Sequence, residues 1–167
     1  MKVIGAACPP RRPAQCCAMT FRSHMHLALD QARAAAIRGE VPVGAVVIGP
    51  DGAVLAAAGN RTRALCDPSA HAEVLAIRAA CAALASERLV GCDLYVTLEP
   101  CPACAGVIAA ARIARLYYGA ADPKSGGIAQ GPRIFTHPQS HHVPEVYDGI
   151  AADESQALLR AFFTARR

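Results

Sequence analysis

Leu94-Tyr95-Val96-Thr97-Leu98-Glu99-Pro100-Cys101-Pro102-Ala103-Cys104 is the stretch on which the reading of this chain turns. Residues 93–98 are aliphatic, aromatic and β-branched and read as a buried strand. Residues 100–112 read as a helix, with Val107, Ile108 and Ile113 apolar. Residues 115–119 return as another strand, so the centre of the chain is a strand-helix-strand unit. Such a unit implies a right-handed crossover and a parallel strand pair.

Working outward, residues 24–38 carry Met25, Leu29, Ala32 and Ala36 at helical spacing and stop at Gly39. Residues 41–48 are nearly continuous β-branched sequence. Pro50-Asp51-Gly52 is a turn, and residues 53–58 complete a hairpin. Asp67-Pro68-Ser69 reads as a helix start, and that helix runs through Val74, Ile77, Cys81 and Leu84. Residues 120–143 are mostly loop, with one turn of helix at most. Residues 145–149 make a short fifth strand. Residues 151–167 form a last helix with Leu158, Leu159, Phe162 and Phe163 inward. The order α-β-β-α-β-α-β-loop-β-α predicts an α/β fold with helices on both faces of one mixed, five-stranded sheet.

The 167 residues fit one domain, residues 24–167, behind an arm. Residues 1–23 show no hydrophobic period and read as a disordered N-terminal extension; Met19 offers a second candidate start. The chain is 53% hydrophobic, much of it alanine, which excludes a disordered chain as well as collagen and coiled-coil classes. The net charge of +4 invites a nucleic-acid reading. Its distribution weakens that reading. Lys2, Arg11, Arg12 and Arg22 lie within residues 1–23, which hold no acid, and leave 13 basic and 13 acidic side chains in residues 24–167. No apolar run is long enough for a membrane span, and the start of the chain does not make a signal peptide. Eight cysteines without an export signal point to reduced thiols in the cytoplasm, where Cys-x-x-Cys more often means metal or redox chemistry.

The chemistry concentrates in His71-Ala72-Glu73 and, 30 residues after His71, Cys101-x-x-Cys104. Each falls at a predicted helix N-terminus, where spare N–H groups and the helix dipole favour thiolates. Two sulfurs and one imidazole suit zinc, and three protein ligands leave a fourth tetrahedral position for water, as in catalytic sites. Glu73 stands beside that open position, where a carboxylate can take a proton from the water. A structural zinc site would need a fourth protein ligand, such as Cys66, His137, His141 or His142, and would leave Glu73 without a task.

His71-Ala72-Glu73 with Pro100-Cys101-x-x-Cys104 resembles the zinc-dependent nucleobase deaminases of the cytidine/deoxycytidylate deaminase superfamily. Asp67-Pro68-Ser69-Ala70-His71, Leu94 to Cys101, Glu40-Val41-Pro42-Val43-Gly44, Gly59-Asn60-Arg61 and the C-terminal Phe162 to Arg167 are similar to the bacterial tRNA-specific adenosine deaminases. The likeness covers about residues 22–167. It implies a three-layer α/β/α sandwich, a homodimer and one Zn2+ per subunit. It also implies hydrolytic deamination, by zinc-activated water, of the wobble adenosine in the anticodon loop of a tRNA, an arginine tRNA in particular. Glu73 would be the catalytic proton carrier, and Asn60 would hydrogen-bond the flipped nucleotide. A turn-forming Asn after Gly59 is the rival reading of Asn60.

Substrate is where the pattern departs from the family. Ala103, Ala110 and Ala111 replace its usual residues, and the loop from Asp122 to His142 differs in sequence and length. A guanine or cytosine deaminase of the same fold is the alternative function, and a non-catalytic zinc module binding RNA or a partner is a third. Glu99 reads as a structural hydrogen-bond partner. His137, His141 and His142 read as loop residues at the substrate entrance or on the surface. Arg61, Arg63, Lys124, Arg133, Arg160, Arg166 and Arg167 are candidates for RNA contact.

Overall fold

A computed structural model describes residues 23–166. The predicted extension therefore lies outside the described residues except for Ser23, as do Cys8, Cys16, Cys17 and Arg167. The elements are α1 (Met25–Ile37), β1 (Gly44–Ile48), β2 (Val54–Gly59), α2 (Ala72–Leu84), β3 (Asp93–Leu98), α3 (Pro102–Ala110), β4 (Arg115–Ala120), a short 3-10 turn (Ile134–Thr136), β5 (Glu145–Tyr147) and α4 (Ala152–Thr164). The sheet has five strands in the order β2-β1-β3-β4-β5. β1 pairs antiparallel with β2 and β3, whereas β3, β4 and β5 are parallel. This is the mixed α/β sheet that the sequence predicts.

Alternation along the strands separates two cores. Ala45, Val47, Leu94, Val96, Leu116 and Tyr118 pack with α2 and α3. Val46, Ile48, Tyr95 and Tyr117 pack with α1 and, through Leu158, α4. On this second face Tyr95, Tyr117 and Tyr147 stack across three adjacent strands, with ring centroids 4.4 and 4.8 Å apart. Alanine in the buried stripes lets helices lie close to the sheet. Gly44 takes this furthest, since a Cβ there would lie 2.0 Å from the Ala28 carbonyl oxygen of α1.

Four differences from the sequence reading have physical causes. β1 begins at Gly44 rather than at residue 41, and Val43 instead accepts a backbone bond from Asn60. α2 begins at Ala72, five residues after Asp67. Asp67 Oδ1 accepts hydrogen bonds from the Ser69 N–H (2.8 Å) and hydroxyl (2.7 Å), closing a local turn. The oxygen that satisfies the N-terminus of α2 is Asn60 Oδ1, which accepts from Ala72 N–H at 2.9 Å. α4 buries Phe162 but leaves Phe163 51% exposed, because the two rings are neighbours on a helix and one must turn outward.

Candidate active site

The site lies where β3 ends and where α2 and α3 begin. His71 is the residue before α2 and Cys101 the residue before α3, each in extended conformation. Cys104 follows one turn into α3 and is buried. His71 Nδ1 is 3.7 Å from Cys101 Sγ and 3.3 Å from Cys104 Sγ. Zinc bonded tetrahedrally at about 2.3 Å to sulfur and about 2.0 Å to nitrogen sets sulfur and nitrogen about 3.5 Å apart. The observed distances bracket that value, so the three side chains fit the ion. They form the one group of three or more potential ligands among the described residues.

Their ionisation agrees with this fit. A hydrogen bond from the Cys104 thiol, and then one with His71, hold the Cys101 thiol down to about 3. The bond to Cys101 pushes the Cys104 thiol up, as does its burial. The hydrogen bond with Cys101 likewise raises His71 above the usual histidine range. Two thiols and an imidazole thus share protons at the positions that a divalent cation would take.

Glu73, in the first turn of α2, is buried, and burial pushes its carboxyl above the usual carboxylate range. It lines a cavity of about 230 Å³ together with Asn60, Thr62, His71, Leu98, Glu99, Cys101, Asp122 and Ser125. Asn60 caps α2 across the chain and makes no local side-chain turn bond. Its oxygen is committed to Ala72, so its amide NH2 is the group left to donate into the cavity it lines.

Two walls of this cavity depend on buried carboxylates. Glu40, 1% exposed, accepts from Ala64 N–H at 2.8 Å, from Arg63 N–H at 3.1 Å and from the Thr62 hydroxyl at 3.3 Å. Glu99, 2% exposed, accepts backbone hydrogen bonds from the loop after β4, in keeping with its structural reading. Sequence reasoning missed the task of Glu40, whose only linear signal is a carboxylate against a continuous apolar run. The loop histidines lie elsewhere. His137 and His141 border an apolar groove on the outer side of α3, and His142 Nε2 is 2.6 Å from the Ile113 carbonyl oxygen.

Residues 19–120 match the family model of the cytidine and deoxycytidylate deaminase zinc-binding region. The chain belongs to the zinc-binding cytidine and deoxycytidylate deaminase family. Within this deaminase family it is 57% identical over 150 residues to a tRNA-specific adenosine deaminase of Agrobacterium fabrum, covering 89% of this chain and 98% of the relative. A tRNA-specific adenosine deaminase of Bacillus subtilis is 40% identical, over 86% of this chain and 89% of the relative. A solved structure from work on A-to-I editing by tRNA:A34 deaminases superposes with a TM-score of 0.79 at 58% identity, over 81% of this chain and 97% of that one. The deaminase fold is also shared with a protein solved in complex with 2,6-diaminopurine, at 25% identity and a TM-score of 0.74, over 86% of this chain and 81% of that one.

Proposed function

We propose that this deaminase converts adenosine to inosine at the wobble position of a tRNA anticodon loop, with an arginine tRNA as its substrate. The observation that carries the reading is the near full-length likeness to tRNA-specific adenosine deaminases, joined to a cavity in which the metal-binding trio and Glu73 meet. His71, Cys101 and Cys104 hold the zinc, which when bound supplies Lewis-acid activation of water near neutral pH. Glu73 takes a proton from the attacking water and delivers it to the ring nitrogen beside C6. Ionised again, it takes the second proton from the new C6 hydroxyl and gives it to the amine, so that the C6–N bond breaks, ammonia leaves and C6 keeps the oxygen as a carbonyl. Burial of Glu73 suits this alternation, because it stabilises the protonated carboxyl between transfers. Asn60 binds the nucleotide through its amide NH2. The cavity accepts a base only when it has left its stack, and an unpaired anticodon loop makes that inexpensive.

Arg61 and Lys124 follow and precede the cavity-lining Asn60 and Ser125 in the chain and support an RNA surface, since both are exposed and neither side chain has a partner among the described residues. Arg63, Arg133 and Arg166 are partly engaged, donating to the carbonyls of Gly39, Ala129 and Phe162. The enzyme works as a homodimer in the cytoplasm. The apolar groove on α3, lined by Gly106, Ala109, Ala110 and Ile134, is the face we assign to the second copy. The five described cysteines are free, and no described helix is long and apolar enough to cross a membrane.

One assay panel tests the substrate. Zinc-loaded protein is incubated with an arginine tRNA anticodon stem-loop, free adenosine, guanine and cytosine. Inosine in the RNA alone supports the proposal, and turnover of a free base alone overturns it. Guanine is the serious competitor, because a guanine deaminase of Bacillus subtilis is 39% identical over 60% of this chain and 66% of that one, with a TM-score of 0.57.

A further inference from the structure

We propose that Glu99 is a positioning residue that holds the loop of residues 122–131 as the wall of the substrate cavity. Its role for an RNA substrate rests on the function proposed above. Three successive N–H groups converge on one carboxylate oxygen: Ile128, Ala129 and Gln130 donate to Glu99 Oε1 at 3.1, 2.9 and 3.0 Å. Asp122 N–H donates to Oε2 at 3.1 Å. This is an anion nest whose anion is supplied by the protein itself. With four donors on two buried oxygens, the carboxylate has little capacity left for substrate.

The loop is moulded around that side chain. A Cβ added at Gly126 would lie 2.6 Å from the Glu99 carboxyl carbon, and one at Gly127 would lie 2.6 Å from Pro102 N at the start of α3. Gly127 N–H also donates to the Pro100 carbonyl at 2.9 Å. The organisation passes onward within the loop. Asp122 Oδ1 accepts from the N–H groups of Lys124 and Ser125, both at 3.0 Å, and Asp122 and Ser125 line the cavity. Glu99 stands two residues before Cys101, at the end of β3. One side chain therefore ties the substrate wall to the rigid strand that delivers a metal ligand. Its removal should impair substrate capture rather than the chemical step.

Glu99→Gln tests this, because it keeps the shape but turns one acceptor oxygen into an NH2 group facing backbone donors. Zinc content, amide hydrogen exchange and steady-state kinetics are compared with wild type on the anticodon stem-loop. The expected result is one zinc per chain, faster exchange confined to residues 122–131, and a KM raised about tenfold or more with kcat within about threefold. Glu99→Asp, which keeps the charge, should recover part of the KM. Gly127→Ala, which lifts the loop from α3 without altering the carboxylate, should raise KM in the same way. It also provides the test if Glu99→Gln does not fold. An unchanged KM with kcat down by about 10²–10⁴ would make Glu99 a proton carrier and overturn the proposal. Loss of zinc, or unaltered exchange in the loop, would overturn it too. If wild type leaves the RNA unmodified but turns over guanine, the function proposed above fails; the exchange data and the same KM split measured on guanine then still decide the role of Glu99.

Discussion

Glu73 and Glu40 are both buried carboxylates with opposite environments. Glu73 faces the cavity, and burial raises it. Replacing it by alanine should leave zinc content intact and lower the deamination rate by about 10²–10⁴, the scale of general acid–base catalysis. His71→Ala or Cys101→Ala should instead lower the zinc content, measured by metal analysis of purified protein. In Glu40, burial raises the carboxyl, but hydrogen bonds from Ala64, Arg63 and Thr62 outweigh it and hold the group below its ordinary value of 4.5. A group lowered by folding stabilises the fold above its unfolded value, and loses that contribution as pH falls through the folded one. Glu40→Gln should therefore melt well below wild type at about pH 7, and the gap should narrow below about pH 4.5. Thermal unfolding of the two proteins side by side measures this, and their common ligand set cancels the acid loss of metal.

The decisive element contacts are close approaches of backbone to sheet. α1 lies on β1 through Gly44, whose N–H also donates to Thr97 Oγ1 at 3.1 Å. A methyl group there has no space, because its nearest atoms, Ala28 O and Ala32 N at 2.0 and 2.6 Å, belong to the α1 backbone. Gly44→Ala should cost about 1–3 kcal/mol or more in chemical denaturation, the range for overpacking. The two helices that present His71, Cys101 and Cys104 are alanine-rich. Their placement comes from the sheet beneath them and from caps reaching across the chain, as Asn60 does for α2. This is why the predicted start of that helix was displaced. Asp67 and Pro68 carry a strong local start signal, but Asp67 spends its oxygen on Ser69, and a residue on the far side of the loop does the capping.

At the scale of the molecule, charge and assembly are separable. The excess of +4 resides in residues 1–23, and the family likeness begins at residue 19. Deleting residues 1–18 should leave deamination largely intact and change its salt dependence only slightly, measured as activity against salt concentration. A large loss of activity would assign RNA binding to bulk charge instead. The apolar groove of α3 makes a separate prediction. If the proposed homodimer forms through this groove, Ala110→Arg, on its exposed rim, should shift it to monomer in sedimentation while each subunit keeps its zinc, and a wild type that sediments as a monomer would overturn the assignment. A dimer that persists in the variant would place the interface elsewhere.

The order of elements, the mixed sheet and the metal-binding trio were legible in the linear chain. Strand periodicity is local, and a ligand triad with fixed spacing leaves few ways to meet. The C-terminal helix was legible in its position and only half so in its facing, since Phe162 and Phe163 are equally apolar and only burial in the folded chain separates them. What tertiary structure alone decided was the state of the buried polar groups. No local pattern tells that Glu40 holds residues 62–64, that Glu99 gathers four donors from a loop more than 20 residues away, or that Asn60 caps α2. Glu40 and Glu99 stay ionised in burial because several donors converge on each and outweigh it, as they do not on Glu73, and that convergence exists only once the chain has closed around them.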